Sequence, residues 1–358
     1  MTYSEDILAA KLREGLWGAI QQSDIVTQDD VDSIRFQKLL LEAVDHFELE
    51  DRVTIEWYLD GDLLTSGSAE VEKMGSTAEL DSAHQFHLER YPTVEQITEF
   101  FSSRLTDEFL EQSEKRVYEY LREYYSDHES IPYQELYLAN IDIYEYLNDV
   151  KYRLRNGEAL ETGTLDEFQE RCRSLKTELL LHEEFCSVPP FVDLFEDAGV
   201  KLLNTIIRPD LGLDNERKFK LVDEYSKFYY RALWIIPAKI ISFQQVAGLN
   251  ETEVKKTRRR ELETIDKSFK NRYRELSKWM GDIGLPDLPA SLPTIDPEAS
   301  VSPNAESLEG HDGESTNSAE IEKSIGQEPR DIDLDSLMED DDPEKPLSEL
   351  VIQGRMES

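Results

Sequence analysis

Along most of the first 284 residues apolar positions recur every three to four places, the period of an amphipathic helix with one buried face. The first helix opens with Ser4 as N-cap, carries Glu5 and Asp6 in its first turn and lines Ile7, Leu8, Leu12, Leu16 and Ile20 on one side. A second begins at Asp29 or Asp30, with Phe36, Leu40, Ala43, Val44 and Phe47 as its buried stripe. Arg35, Gln37, Lys38 and Glu42 are therefore expected at its surface. The period then switches to two: in "RVTIEWYL", Val53, Ile55 and Trp57 alternate with Thr54, Glu56 and Tyr58, which predicts a strand, and "DGD" at 60–62 supplies a turn. Residues 65–91, rich in Ser, Gly and small polar side chains, read as a loop.

From residue 93 the pattern is helical throughout. Thr93 and Gln96 form a capping box, and one helix is expected over about 107–125. Leu136, Asn140, Ile143, Leu147, Val150 and Leu154 make a heptad seam that stops at Asn156-Gly157. Asn140, its one polar member, is expected to fix helix register. Thr164 and Glu167 open a further helix whose seam runs Leu165, Phe168, Cys172, Leu175, Leu179, His182, Cys186. Pro189-Pro190 start the next, through Ile207; residues 214–247 give one or two more with a kink at Pro237; and the last, over 251–281, buries Leu262, Ile265, Phe269, Tyr273, Leu276 and Met280.

Successive seams of this kind predict a mainly α fold, an antiparallel helical bundle with one short strand or hairpin near 53–64. Three parts are expected: 1–91, a helical segment with the short β element; 92–284, the bundle; and 285–358, a disordered acidic tail. The tail holds eight of the fourteen prolines and no Phe, Trp or Tyr, so it cannot bury enough apolar surface to offset its ordering entropy. Within it "DIDLDSLMEDDD" at 331–342 alternates acidic and apolar residues like a short binding segment.

Charge changes the picture most. The formal net charge is −38, with 20 acids and 4 bases in residues 285–358 and 57 acids and 35 bases before them. Such a surface repels phosphate backbones and suits a high-salt cytoplasm, where self-repulsion is screened over about 3 Å at 1 M salt. The N-terminus shows no basic and apolar leader, and the longest apolar run, "ALWIIPAKIISF" at 232–243, falls short of the roughly 20 residues a span needs. A cytoplasmic protein without membrane contact is expected.

Candidate chemistry is sparse. No phosphate-binding glycine loop, G-x-S-x-G, H-E-x-x-H or C-x-x-C occurs, so no catalytic residue and no cofactor is expected. His182 and Cys186 are spaced like two zinc ligands on one helix face, but Cys172 lies about 15 Å further along a straight helix, and all three fall on the apolar seam. They read as core, and no metal is expected. "KKTRRR" at 255–260, continued to 278, is the one strongly basic stretch. Lys255, Lys256, Arg258, Arg259 and Arg260 are candidate contacts for nucleic acid or an acidic partner, unless they pair with Glu251, Glu253, Glu261 and Glu263 on their own helix.

Residues 32–64, "DSIRFQKLLLEAVDHFELEDRVTIEWYLDGDLL", carry a K/R-x-Q-K-L-L helix core at Arg35, Phe36, Gln37, Lys38, Leu39 and Leu40. An extended segment follows, with Trp57, Tyr58 and Gly61 before Leu63-Leu64. The order resembles the start of Panacea-type (SocA-like) antitoxin domains, and the acidity is similar to that of haloarchaeal proteins that open the same way. The chain departs from the pattern at Leu41-Glu42, where an aromatic usually follows, and at Asp62-Leu63, where Pro-Val usually does. The resemblance implies a non-enzymatic protein of antitoxin or adaptor type that binds a protein partner through Arg35, Gln37, Lys38, Trp57 and Tyr58. A DNA-associated regulator using residues 255–278 and an unrecognised enzyme are the alternatives.

Overall fold

The computed structural model describes residues 3–64, 91–127, 131–161, 163–208, 213–282 and 293–294. The chain is mainly α, with one small sheet. Helix α1 (Tyr3–Gln22) and helix α2 (Ser33–His46) come first, then strands β1 (Thr54–Tyr58) and β2 (Gly61–Leu64). Helices α3 (Val94–Ser102), α4 (Asp107–Ser113), α5 (Val117–Asp127), α6 (Gln134–Arg155), α7 (Gly163–Leu180) and α8 (Pro189–Ile207) follow. Helix α9 (Asn215–Phe228) runs through a π-helical turn (Tyr229–Trp234) into α10 (Ile235–Gln245), and strand β3 (Ala247–Gly248) precedes the long α11 (Glu251–Asp282). Apart from 293–294, the expected tail with its segment 331–342 lies outside the described residues, as do residues 65–90 of the expected loop.

Two cores form. The first gathers Leu8, Leu12 and Leu16 of α1, Leu40 and Val44 of α2, Leu64 of β2, and Ile97 and Phe101 of α3. Gly15 lets α1 and α3 meet, since a Cβ there would lie 2.3 Å from Ile97 Cγ2. The first core therefore runs past the division expected at residue 91 and takes α3 with it. The second core spans α5 to α11, and Leu59 at the hairpin turn reaches into it.

The sheet ties the parts together in the order β2-β1-β3, all antiparallel, with Ile55 opposite both Leu64 and Ala247. A two-residue strand carries no periodicity, so β3 was invisible in the pattern. It depends on Gly248, whose φ of +110° brings it against the Val53 carbonyl, where a Cβ would sit 1.9 Å from the oxygen.

Several local expectations change. Helix α2 starts at Ser33 with Asp32 as its cap, accepting from the Ile34 and Arg35 amides, because Gln28–Asp30 forms a separate turn under Thr27. The helix expected at 107–125 is broken between Ser113 and Val117. Thr164 does not cap α7 but is buried inside it. In the β1 segment Val53 is buried in the first core, but Thr54 and Glu56 are buried as well while Ile55 and Trp57 are half-buried, because α10 covers the polar face of the strand.

Other features stand as read. The Thr93–Gln96 capping box is present, and Gly157 ends α6 in a left-handed conformation at φ +75°. Asn140 is buried and accepts from the Tyr229 hydroxyl at 2.8 Å. The distortion associated with Pro237 precedes it. A proline ring crowds the carbonyl four residues back, here Leu233, and the π turn widens the helix at that place.

Candidate functional site

The polar residues of α2 point inward. Arg35 is 3% exposed and Lys38 2%, against the expectation that both face solvent. The Arg35 guanidinium pairs with Asp32, donates from Nη2 to the carbonyls of Gln112 (2.8 Å) and Lys115 (2.7 Å), and lies 4.8 Å over the Tyr120 ring. Lys38 Nζ sits 4.6 Å over the Tyr124 ring. Gln37 Oε1 accepts from the Leu64 amide at 3.2 Å, and Trp57 packs against Tyr137. Only Glu42 of the group is outside, beside Arg104. Tyr58 lies in β1, and its side chain is outside the described set.

The reason is position. Helix α2 is wedged between the two cores, so its apolar stripe serves the first and its Asp32–Arg35–Lys38 row serves α4 and α5. These residues close the joint between the two halves and do not offer a partner surface.

The hairpin turn is held as firmly. The Leu59 carbonyl accepts from Trp234 Nε1 and the Asp60 carbonyl from the Tyr125 hydroxyl, each at 2.9 Å, while the Tyr230 hydroxyl donates to the Asp60 carboxylate. Gly61, at φ +94°, leaves room for Tyr125, since a Cβ would lie 2.0 Å from its hydroxyl oxygen. Burial raises the Asp60 pKa above 3.8, with the Tyr230 hydrogen bond and Lys38 partly opposing it. A raised carboxylate binds protons more tightly folded than unfolded, so its stabilising contribution is complete below pH 3.8 and is lost as pH rises through the folded value. Replacing Asp60 by Asn should flatten that part of the stability profile, which denaturant unfolding between about pH 4 and 7 will measure.

A second polar cluster lies behind β1. Glu56 accepts from Ser242 and from Arg258, with Arg258 Nε at 2.6 Å. Arg258 also pairs with Glu261 at 2.6 Å, and Lys239 reaches the same carboxylate at 3.1 Å. Next to it Glu5 accepts from the Thr54 amide at 2.6 Å and from Asn250, joining α1, β1 and the start of α11.

The basic stretch is thus divided. Arg258 is internal, Lys255 is half-buried against Glu251, and Lys256 pairs with exposed Glu253 at 3.5 Å. Arg259 and Arg260 are exposed. Helical spacing places Lys256, Arg260, Lys267, Arg274 and Lys278 in one row opposite the buried seam, all exposed, with Glu263 and Asn271 between them. Twenty-two residues separate the first and last, so the row is about 33 Å long. Arg260, Lys267, Arg274 and Lys278 form no ion pair with another described residue. On the flank of α11 a groove of about 320 Å³ holds Lys227, Arg231, Arg272, Glu275, Phe228 and Trp279.

Cys172, His182 and Cys186 do not share a face. Helix α7 ends at Leu180, so His182 stands in a turn against Tyr133, Cys186 is exposed, and Cys172 is enclosed with its thiol pKa pushed up by burial. The seam is real only as far as Leu179. Among the described residues no three His, Cys, Asp or Glu side chains gather as a metal site. No helix among them is long and apolar enough to cross a membrane.

A family model described as Domain of unknown function (DUF8098) matches residues 1–306. The chain belongs to the DUF8098 family. The match crosses both cores and the sheet that joins them, and extends beyond α11. No curated protein and no solved structure matches the chain.

Sequence reasoning missed Glu56, Asp60, Ser242 and Tyr230 as partners in buried networks. One cue was available for Arg258 in this DUF8098 chain. Stepping back four residues from Leu262 along the buried seam of α11 lands on it, which marks Arg258 as the inward member of the basic run.

Proposed function

We propose that the protein is a non-enzymatic, partner-binding protein of adaptor type, and that its contact face is the outer row of α11, which takes an acidic protein surface. The observation that carries this is the row itself, five cations and one acid over about 33 Å on a chain of net charge −38. Arg35, Gln37 and Lys38 support no such role, because internal contacts use them. An antitoxin-type contact through residues 33–64 is therefore the weaker form of the proposal. A nucleic-acid contact is the second reading of the same row, favoured by cations repeating along a straight edge and opposed by the field of the remaining surface.

Titration of the full chain with fluorescent poly-glutamate and with a 20-base-pair duplex, at about 0.1 M salt, separates them. Saturable poly-glutamate binding that weakens with salt is expected. Tighter duplex binding selects the nucleic-acid reading, and binding of neither, by the native chain and by a full-length chain with the acids of 331–342 neutralised, removes the contact face. Thermal midpoints should rise between about 0.1 M and 2 M KCl, because the excess of acids in residues 1–284 repels itself when unscreened. A flat response would show that this self-repulsion does not limit stability.

A further inference from the structure

We propose that residues 331–342 of this chain cover the outer row of α11 and compete with the partner for it. The inference rests on the reading of that row as a site for acidic protein. It adds the identity of one occupant and a means of regulation.

Charge and length carry the argument. Lys256, Arg260, Lys267, Arg274 and Lys278 face solvent in a line, and four of the five make no ion pair with another described residue. Segment 331–342 holds seven acids in twelve residues and no base, the densest acidic run of the chain. Extended, twelve residues span roughly 40 Å, which matches the row of about 33 Å. The first acids, Asp331, Asp333 and Asp335, recur every second residue, about 7 Å apart when extended, close to the rise of one helical turn.

Connectivity favours the same pairing. The chain leaves α11 at Asp282, beyond Lys278, and 48 residues separate it from Asp331, a contour of roughly 160 Å. Reach does not limit the contact, and tethering makes it intramolecular. Residues 1–284 as a whole carry 57 acids against 35 bases, so an acidic segment that approaches the rest of the surface is repelled, whereas on this row opposite charges meet within a Debye length of about 8 Å. A partner with a similar acidic run must displace the segment. Modifying or neutralising 331–342 would open the face.

Carbodiimide cross-linking of the full chain, followed by peptide mass spectrometry, tests this directly. Amide links from Lys256, Lys267 or Lys278 to acids of 331–342 are expected within one chain. They should disappear at about 1 M salt, where the screening length falls to about 3 Å. A full-length variant with the seven acids changed to Asn or Gln should lose the links and bind poly-glutamate at least about tenfold more tightly than the native chain. Links found only between chains would overturn the proposal. So would equal poly-glutamate affinity of native and neutralised chains, which leaves the contact face standing, whereas binding by neither chain removes both.

Discussion

Arg258→Ala is expected to cost about 3–5 kcal/mol of folding stability, the range for removing one partner of a buried ion pair. Arg258 side-chain atoms are 14% exposed and those of Glu56 6%, so the truncation leaves a carboxylate in the interior with Ser242 alone. It also releases Glu261 to Lys239. Replacing both partners, Arg258→Met with Glu56→Leu, should recover most of the loss, since a desolvated pair contributes little beyond an apolar isostere. Arg260→Ala, two residues along on the outer row, should stay within about 0.5 kcal/mol. Urea unfolding of the four proteins measures all of this. Equal effects at the two arginines would show that α11 does not present one inner and one outer basic face.

Arg35→Ala should be nearly as damaging, at about 3 kcal/mol or more. The guanidinium serves three acceptors at once: the Asp32 carboxylate that caps α2 and the carbonyls of Gln112 and Lys115 between α4 and α5. Lysine is no substitute, because a single ammonium lacks the planar fork that reaches both carbonyls, so Arg35→Lys should recover less than half of the loss. Denaturant midpoints decide it, and a fully stable Arg35→Ala protein would return this residue to the surface.

The two substitutions show where the sequence was legible. The apolar period located nearly every helix, and the capping box at Thr93 and the glycine stop at Gly157 marked ends because their chemistry is local. What failed was the sidedness of polar residues. Periodicity assigns one buried face to each helix or strand, yet α2 and β1 lie between layers and are covered on both. Arg35, Lys38 and Glu56 were therefore read as exposed or left unassigned when each is buried among partners. The partners of Glu56 come from 186 and 202 positions away, a separation no local pattern carries. The outer row of α11 was partly visible as a basic run, and extending the seam back from Leu262 to Arg258 was the cue that separates it from Arg260.

The central claim is that the cations of α11 divide into an inner set that holds the fold and an outer set that meets acidic protein. The poly-glutamate affinity of the full-length triple variant Arg260→Glu, Lys267→Glu, Arg274→Glu tests it most directly. The prediction is an affinity at least about tenfold below that of the native chain, with an unchanged urea midpoint at about 1 M KCl, where the added negative charge is screened. Native affinity in that folded variant would contradict the account.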